Sequence, residues 1–250
     1  MTGQIWIGFG ALLRLGKWGN RMFLRSRTLA VAALLVATVV NTGALAPAAR
    51  AQTSQQVTVD GARKVLNDLR HDKAFGNAAQ LMRQAKAIFI VPKLIKGGFV
   101  VGGEGGNGVL MVHNAGGWSD PGFYAIGAAS FGLQIGLEQS EVIMLIMTQK
   151  GLDGVLRDQF KIGAQAGITA VTLGSGVEGA IGGASLPDVV VWSSSTGVYG
   201  GLTVDGSIIR SQPNLDAAFY GRPVTPRDVL FGKTQSPHAA GLRRDMSGIG

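Results

Sequence analysis

The sequence predicts an α+β domain in which helices come first and a tightly curved, glycine-rich sheet follows. Three observations predict it. Residues 57–73 carry a helical hydrophobic period, with Ala62, Val65, Leu66 and Leu69 at i, i+3, i+4 and i+7. At Ala87 the pattern changes to the β-branched and aromatic run Ile88-Phe89-Ile90-Val91. From Gly97 to Gly206 there are 26 glycines in 110 residues. Each interior glycine costs a helix about 1 kcal/mol relative to alanine, whereas a curved sheet with bulges, turns and close backbone approach accommodates them.

The chain opens with Arg14, Lys17, Arg21, Arg25 and Arg27, then the apolar run Leu29 to Val40, then Ala49-Arg50-Ala51. This is the order of a secretory signal peptide: a basic region, an apolar region and an A-x-A cleavage site. The apolar run is shorter than the about 20 residues a membrane span requires. We expect a signal peptide over 1–51 and an exported protein, periplasmic or secreted and membrane-associated. An uncleaved anchor is the competing reading, and Met22 is a second candidate start. Residues 52–56 read as a short polar linker.

Net charge is +8 for the whole chain, but residues 1–51 hold six Lys/Arg and no acid, which leaves 17 basic against 15 acidic residues. A nearly neutral domain argues against nucleic acid as a partner. There is no Cys, so no disulfide framework, thiolate zinc site or cysteine nucleophile. His71, His113 and His238 lie far apart without metal-ligand spacing, so no metal and no cofactor are expected.

The elements follow in order. Val57 to Lys73 is a helix with Asp60 as candidate N-cap, and Asn77 to Gln84 is a second, capped by Asn77. Ile88 to Val91 is a strand that Pro92 ends, with a turn over Pro92 to Gly98. Phe131 to Glu138 alternates as a half-buried strand, and Val142 to Met147 is continuously apolar, a strand covered on both faces. A helix is read at Leu152 to Phe160. Strand-like runs follow at 168–173, 187–192 and 198–204, and Asp205-Gly206 signals a hairpin turn. Asn214 to Tyr220 and Pro226 to Leu230 read as short helices. Residues 233–250 read as a flexible tail. Trp118-Ser119-Asp120-Pro121 reads as a turn in which Asp120 bonds the backbone ahead, and Trp118 and Trp192 read as core.

Motifs for chemistry fail on context. Gly103-Glu104-Gly105-Gly106-Asn107-Gly108 fits G-x-G-x-x-G, but a dinucleotide loop must open a helix, and Val109 to Val112 is strand-like. The reading is a turn or bulge, with no nucleotide partner. Ser130 lacks the strand-turn-helix of a nucleophile elbow. Glu138 and Glu141 flank an expected turn and read as a solvated strand end. No catalytic residue is assigned, and the chain is not expected to be an enzyme.

Four blocks carry a resemblance: Ala85 to Val112, Gly116 to Gly127, Ala129 to Met147 and Asn214 to Gly232. In order and spacing they resemble the SYLF domain family, over about Val57 to Gly232. The resemblance implies an α+β fold with a strongly curved, barrel-like antiparallel sheet, an N-terminal amphipathic helix and a few short helices. It implies a domain over 57–232 and a non-catalytic protein. Eukaryotic relatives bind membrane phosphoinositides, and some fungal ones bind and bundle actin. For an exported chain the transferable property is peripheral affinity for anionic phospholipid.

In the lipid-binding relatives an N-terminal amphipathic helix contacts the bilayer. Here that places Arg63, Lys64 and Arg70 on headgroups, with Val65, Leu66 and Leu69 entering the interface. Lys93 and Lys96 are a second expected headgroup contact. From Val57 to Lys96 there are eight Lys/Arg against three acids, so basic charge is concentrated in the N-terminal third. The competing reading is a core helix with a solvated charged face. The alternative function is a structural, self-associating or protein-interaction module of the periplasm.

Overall fold

The computed structural model describes residues 46–72, 75–98, 101–131, 136–157, 160–163, 167, 169–172, 187–196, 206–232 and 234–249. Residues 1–45 of the expected signal peptide, the strand at 198–204 and Asp205 lie outside them, whereas its last residues, with the Ala49-Arg50-Ala51 site, are helical. Two helices come first, α1 (Ala46–Arg70) and α2 (Phe75–Gln84). Five strands follow: β1 (Ala87–Gly98), β2 (Val101–Asn114), β3 (Gly117–Trp118), β4 (Gly122–Phe131) and β5 (Gly136–Ile146). Then come α3 (Gln149–Leu156), β6 (Phe160–Lys161), β7 (Ala170–Thr172), β8 (Val189–Thr196) and β9 (Ile208–Ser211). The chain ends in α4 (Pro213–Tyr220), α5 (Pro226–Leu230), a 3-10 turn (Pro237–Ala239) and α6 (Ala240–Ser247).

The strands form one strongly curled, half-barrel sheet in the order β6-β9-β4-β2-β1-β5-β8-β7, with β3 paired to β2. Every described pairing is antiparallel except β7 with β8. The continuously apolar stretch of β5 is covered on both faces, as its composition predicts. Ile143, Leu145 and Met147 enter one core, and Val142, Met144 and Ile146 the other. The first core lies under α1, α2 and α6, where Val59, Ala62, Val65, Leu66 and Leu69 are all at most 1% exposed. Burying each of the larger side chains contributes about 1.5–3 kcal/mol. The second core holds Phe89, Leu110 and Tyr124 against α3 and β6.

Several expectations need correction. α1 starts well before Val57, so residues 52–56 are helix rather than linker, and Asp60 lies inside it, accepting from Gln56 at 3.0 Å. α2 begins two residues before Asn77. Pro92 does not end β1. It sits where the pairing register shifts, between Val91 and Leu94 against β5, and a bulge tolerates the missing N–H. Phe131 and Glu138 belong to different strands, β4 and β5, which are not neighbours in the sheet. Glu138 and Glu141 both lie within β5, not at a turn. The G-x-G-x-x-G stretch is not a turn but part of β2, continuous against β4 and lying at the register shift against β1 between Ile90 and Ile95. A Cβ at Gly106 or Gly108 would lie 2.6 or 2.3 Å from the carbonyl oxygen of Lys93 or Ile90, so these glycines serve close backbone packing.

The supposed tail is the largest correction. Leu242, Met246 and Ile249 recur at i, i+4 and i+7 and are buried in the first core. Ser236 caps the segment by accepting from His238 N at 3.3 Å. Asp120 bonds this distant segment rather than the backbone ahead: it is buried, accepts from Ser236 N at 2.5 Å and pairs with Arg243. Trp192 is core, while Trp118 is half-buried and stacks on His113 with centroids 4.7 Å apart.

Candidate functional site

The expected lipid-facing helix is largely committed to the fold. Val65, Leu66 and Leu69 are buried against the sheet, so none is available to enter a bilayer. The three basic residues are tied down too. Arg63 pairs with Asp245 at 2.6 Å, and Arg70 donates to the Asp245 carbonyl at 2.7 Å, so both hold α6. Lys64 bridges Asp68 at 2.5 Å and Glu141 at 2.7 Å. Hydrogen bonds from the two carboxylates raise the Lys64 ammonium well above its ordinary range. The pairs are surface pairs, each contributing about 0–1 kcal/mol.

Lys93 and Lys96 do not form one site. Alternation along β1 puts Lys96 on the face of buried Leu94 and Lys93 on the opposite one with Ile95. Lys96 stands in register between Glu104 and Glu138. Burial raises the Glu104 carboxyl, while the Ser207 hydroxyl, donating at 3.0 Å, and the charge of Lys96 act in the other direction. Lys96 is therefore the counter-charge of this polar end of the second core.

Lys93 belongs to a different surface. α1 covers only part of its sheet face. Beyond it, Lys161, Ile208, Gly127, Gly105, Ile95 and Gln139 are successive cross-strand partners on that face. The next row holds Ala129, Gly103, Gly97 and Leu137. Almost no side chains cover the middle of these rows. Around them Val57, Ile95, Leu137 and Ile208 are 66%, 41%, 79% and 39% exposed. Arg210, paired in register with Ala125, stands two residues from Ile208. Lys93, Lys161 and Arg210 are exposed and have no ion-pair partner among the described residues. Sequence reasoning missed this surface because its members come from separate strands. The one local signal was glycine recurring at alternate positions of β2.

Clefts open on the described surface at two places that matter here. One, of about 400 Å³, lies between Met82, Arg83, the His113–Trp118 stack and Met246. The other, of about 460 Å³, lies between Val57 and Thr58 of α1 and the bare strands carrying Lys93, Ile95 and Gly105. Among the described residues there is no His/Asp/Glu group arranged for a metal, and no helix is long and apolar enough to cross a membrane.

Residues 127–246 match the family model described as "Ysc84: Las17-binding protein actin regulator". Over those residues the chain is similar to the Ysc84 (SYLF) family. The match runs through α6, in keeping with the packing of that segment. The human SH3 domain-containing YSC84-like protein 1 is 26% identical over 164 residues, 65% of this chain and 48% of the relative. Two Saccharomyces cerevisiae relatives, LAS seventeen-binding protein 3 and Protein YSC84, are 27% and 28% identical, each over 64% of this chain and 35% of their own length. The chain thus spans about half or less of the curated relatives it matches. The name of one yeast relative speaks of binding, and the family description of binding and actin regulation.

Proposed function

We propose that the chain is a non-catalytic, exported envelope protein that binds anionic phospholipid peripherally. The contact surface is the part of the sheet face that α1 leaves bare, not α1 itself. One observation carries this reading: Val57, Ile95, Leu137 and Ile208 are exposed there beside the cations Lys93, Lys161 and Arg210, which have no ion-pair partner among the described residues. Apolar side chains ringed by cations suit the boundary between headgroups and acyl chains. Each cation near an anionic surface contributes about 1 kcal/mol, so three give a useful, salt-sensitive attachment. The signal-peptide pattern supports export, and for an exported chain we take lipid rather than an actin-regulatory partner as the target. The competing occupant of the same apolar surface is protein, including a second copy of the chain.

The test is co-sedimentation of the full chain with neutral and with anionic vesicles, at low and physiological salt, beside a Lys93→Glu, Lys161→Glu, Arg210→Glu variant. Pelleting is expected only with anionic vesicles, weaker in salt and lost in the variant. No pelleting, with mass rising as concentration rises, would instead support self-association.

A further inference from the structure

The cleft under the start of α1 has features that the bilayer surface alone does not require. Its walls are Val57, Pro92, Ile95 and Ala125, and its floor is the backbone of Gly105 and Gly106. Its volume, about 460 Å³, falls among those of small-molecule sites, about 300–1,000 Å³. The two floor glycines differ in kind. Gly106 has no room for a side chain, since its Cβ would meet the Lys93 carbonyl at 2.6 Å. Gly105 has room: the nearest atom to its Cβ, the Ile126 carbonyl oxygen, is 3.8 Å away, and its φ is not positive. Neither packing nor backbone geometry calls for glycine at position 105. A side chain there would do one thing, which is fill the cleft.

The polar groups of the cleft narrow its occupant. β1, β2 and β4 are interior strands of the sheet, with the β1 register shifting beside the cleft, between Ile90 and Ile95 against β2 and between Val91 and Leu94 against β5. Their ladders leave no free edge for a peptide strand to extend. Thr58 is satisfied within α1, donating to the Ser54 carbonyl at 3.2 Å. Asn107, the other uncharged polar side chain of the lining, is exposed and can keep its amide in water, so the walls suit an occupant that is mainly apolar. Lys93, at the rim, supplies the one positive charge of the lining. We propose that this cleft holds one acyl chain of an anionic amphiphile, with its charged end on Lys93. The proposal rests on the lipid reading above and names the part of the lipid that the protein grips.

The test is a titration of the full chain with parinaric acid, whose fluorescence rises in an apolar site, competed by palmitate and by hexadecanol. The wild-type chain is expected to bind saturably. Gly105→Leu fills the cleft and weakens binding by about tenfold or more at unchanged melting temperature. Lys93→Gln weakens palmitate and leaves hexadecanol unaffected. Should Gly105→Leu fail to fold, Ile95→Asp puts a charge in the wall and gives the same loss. Wild-type affinity in a folded Gly105→Leu or Ile95→Asp chain, or no binding by the wild type, overturns the proposal. The two readings fail separately. A chain that pellets with anionic vesicles but binds no parinaric acid keeps the surface and loses the cleft; the reverse result keeps the cleft and loses the surface.

Discussion

Glycine means different things a few residues apart in β2. At Gly108 a Cβ would sit 2.3 Å from the Ile90 carbonyl oxygen and 2.9 Å from the Phe89 ring, both in the tightly packed centre of the sheet. Gly108→Ala is expected to cost about 3 kcal/mol or more, whereas Gly105→Ala stays within about 0.5 kcal/mol. Equilibrium denaturation of the two variants checks this; equal losses would refute the distinction. Asp216 is a second residue whose role is set by surroundings. It is buried and accepts from Phe123 N at 2.8 Å, and its Oδ2 has no hydrogen-bond partner. Burial pushes its carboxyl up to about 7, against the pull of the Phe123 bond. The folded state therefore holds a proton that the unfolded chain releases near its ordinary value of about 4. The resulting stability is full below about pH 4 and is lost as pH rises through about 7. Asp216→Asn should melt higher than wild type at about pH 8, with the gap closing toward about pH 4. A variant less stable at the higher pH would show that the charged form is accommodated.

At the scale of elements, the C-terminal segment is part of the domain rather than an appendage. α6 closes the first core with Leu242 and Met246 and ties to α1 through Arg63 and Arg70. Leu242→Ala is expected to cost about 2–5 kcal/mol, and a chain ending at Gly232 should melt cooperatively only at much lower temperature, if at all. Thermal melts decide it: an unchanged midpoint after truncation would restore the tail reading. The signal was present as the i, i+4, i+7 spacing of three apolar residues among polar ones. It was hidden because a single buried stripe in a short, glycine-containing segment does not raise the local hydrophobicity. β1 shows the converse. Pro92 reads locally as a stop, yet pairing on both sides carries the strand to Gly98 across a bulge.

For the whole molecule, basic charge count is a poor guide to basic surface. Val57 to Lys96 carries a net excess of five positive charges. Tertiary pairing then commits Arg63 and Lys64 to carboxylates and Arg70 to a carbonyl, while Lys96 stands in register between Glu104 and Glu138. The cations left facing solvent beside exposed apolar groups come from β1, β6 and β9. Attachment through them should weaken as salt shortens the electrostatic range to about 8 Å at physiological strength. Changing Arg63, Lys64 and Arg70 to alanine is expected to lower stability modestly while leaving vesicle binding in place.

Local pattern was enough for the fold class, for the existence of the α1 stripe though not for the direction it faces, and for the double burial of β5, because those features follow from side-chain period alone. It was also enough to deny the glycine motif a nucleotide, since that chemistry needs a helix immediately after it. What the folded chain alone decided was which cations and apolar groups remain outside. That outcome depends on strand register and on partners far apart in sequence, such as Lys64 with Glu141 and Arg63 with Asp245, and no local pattern encodes either.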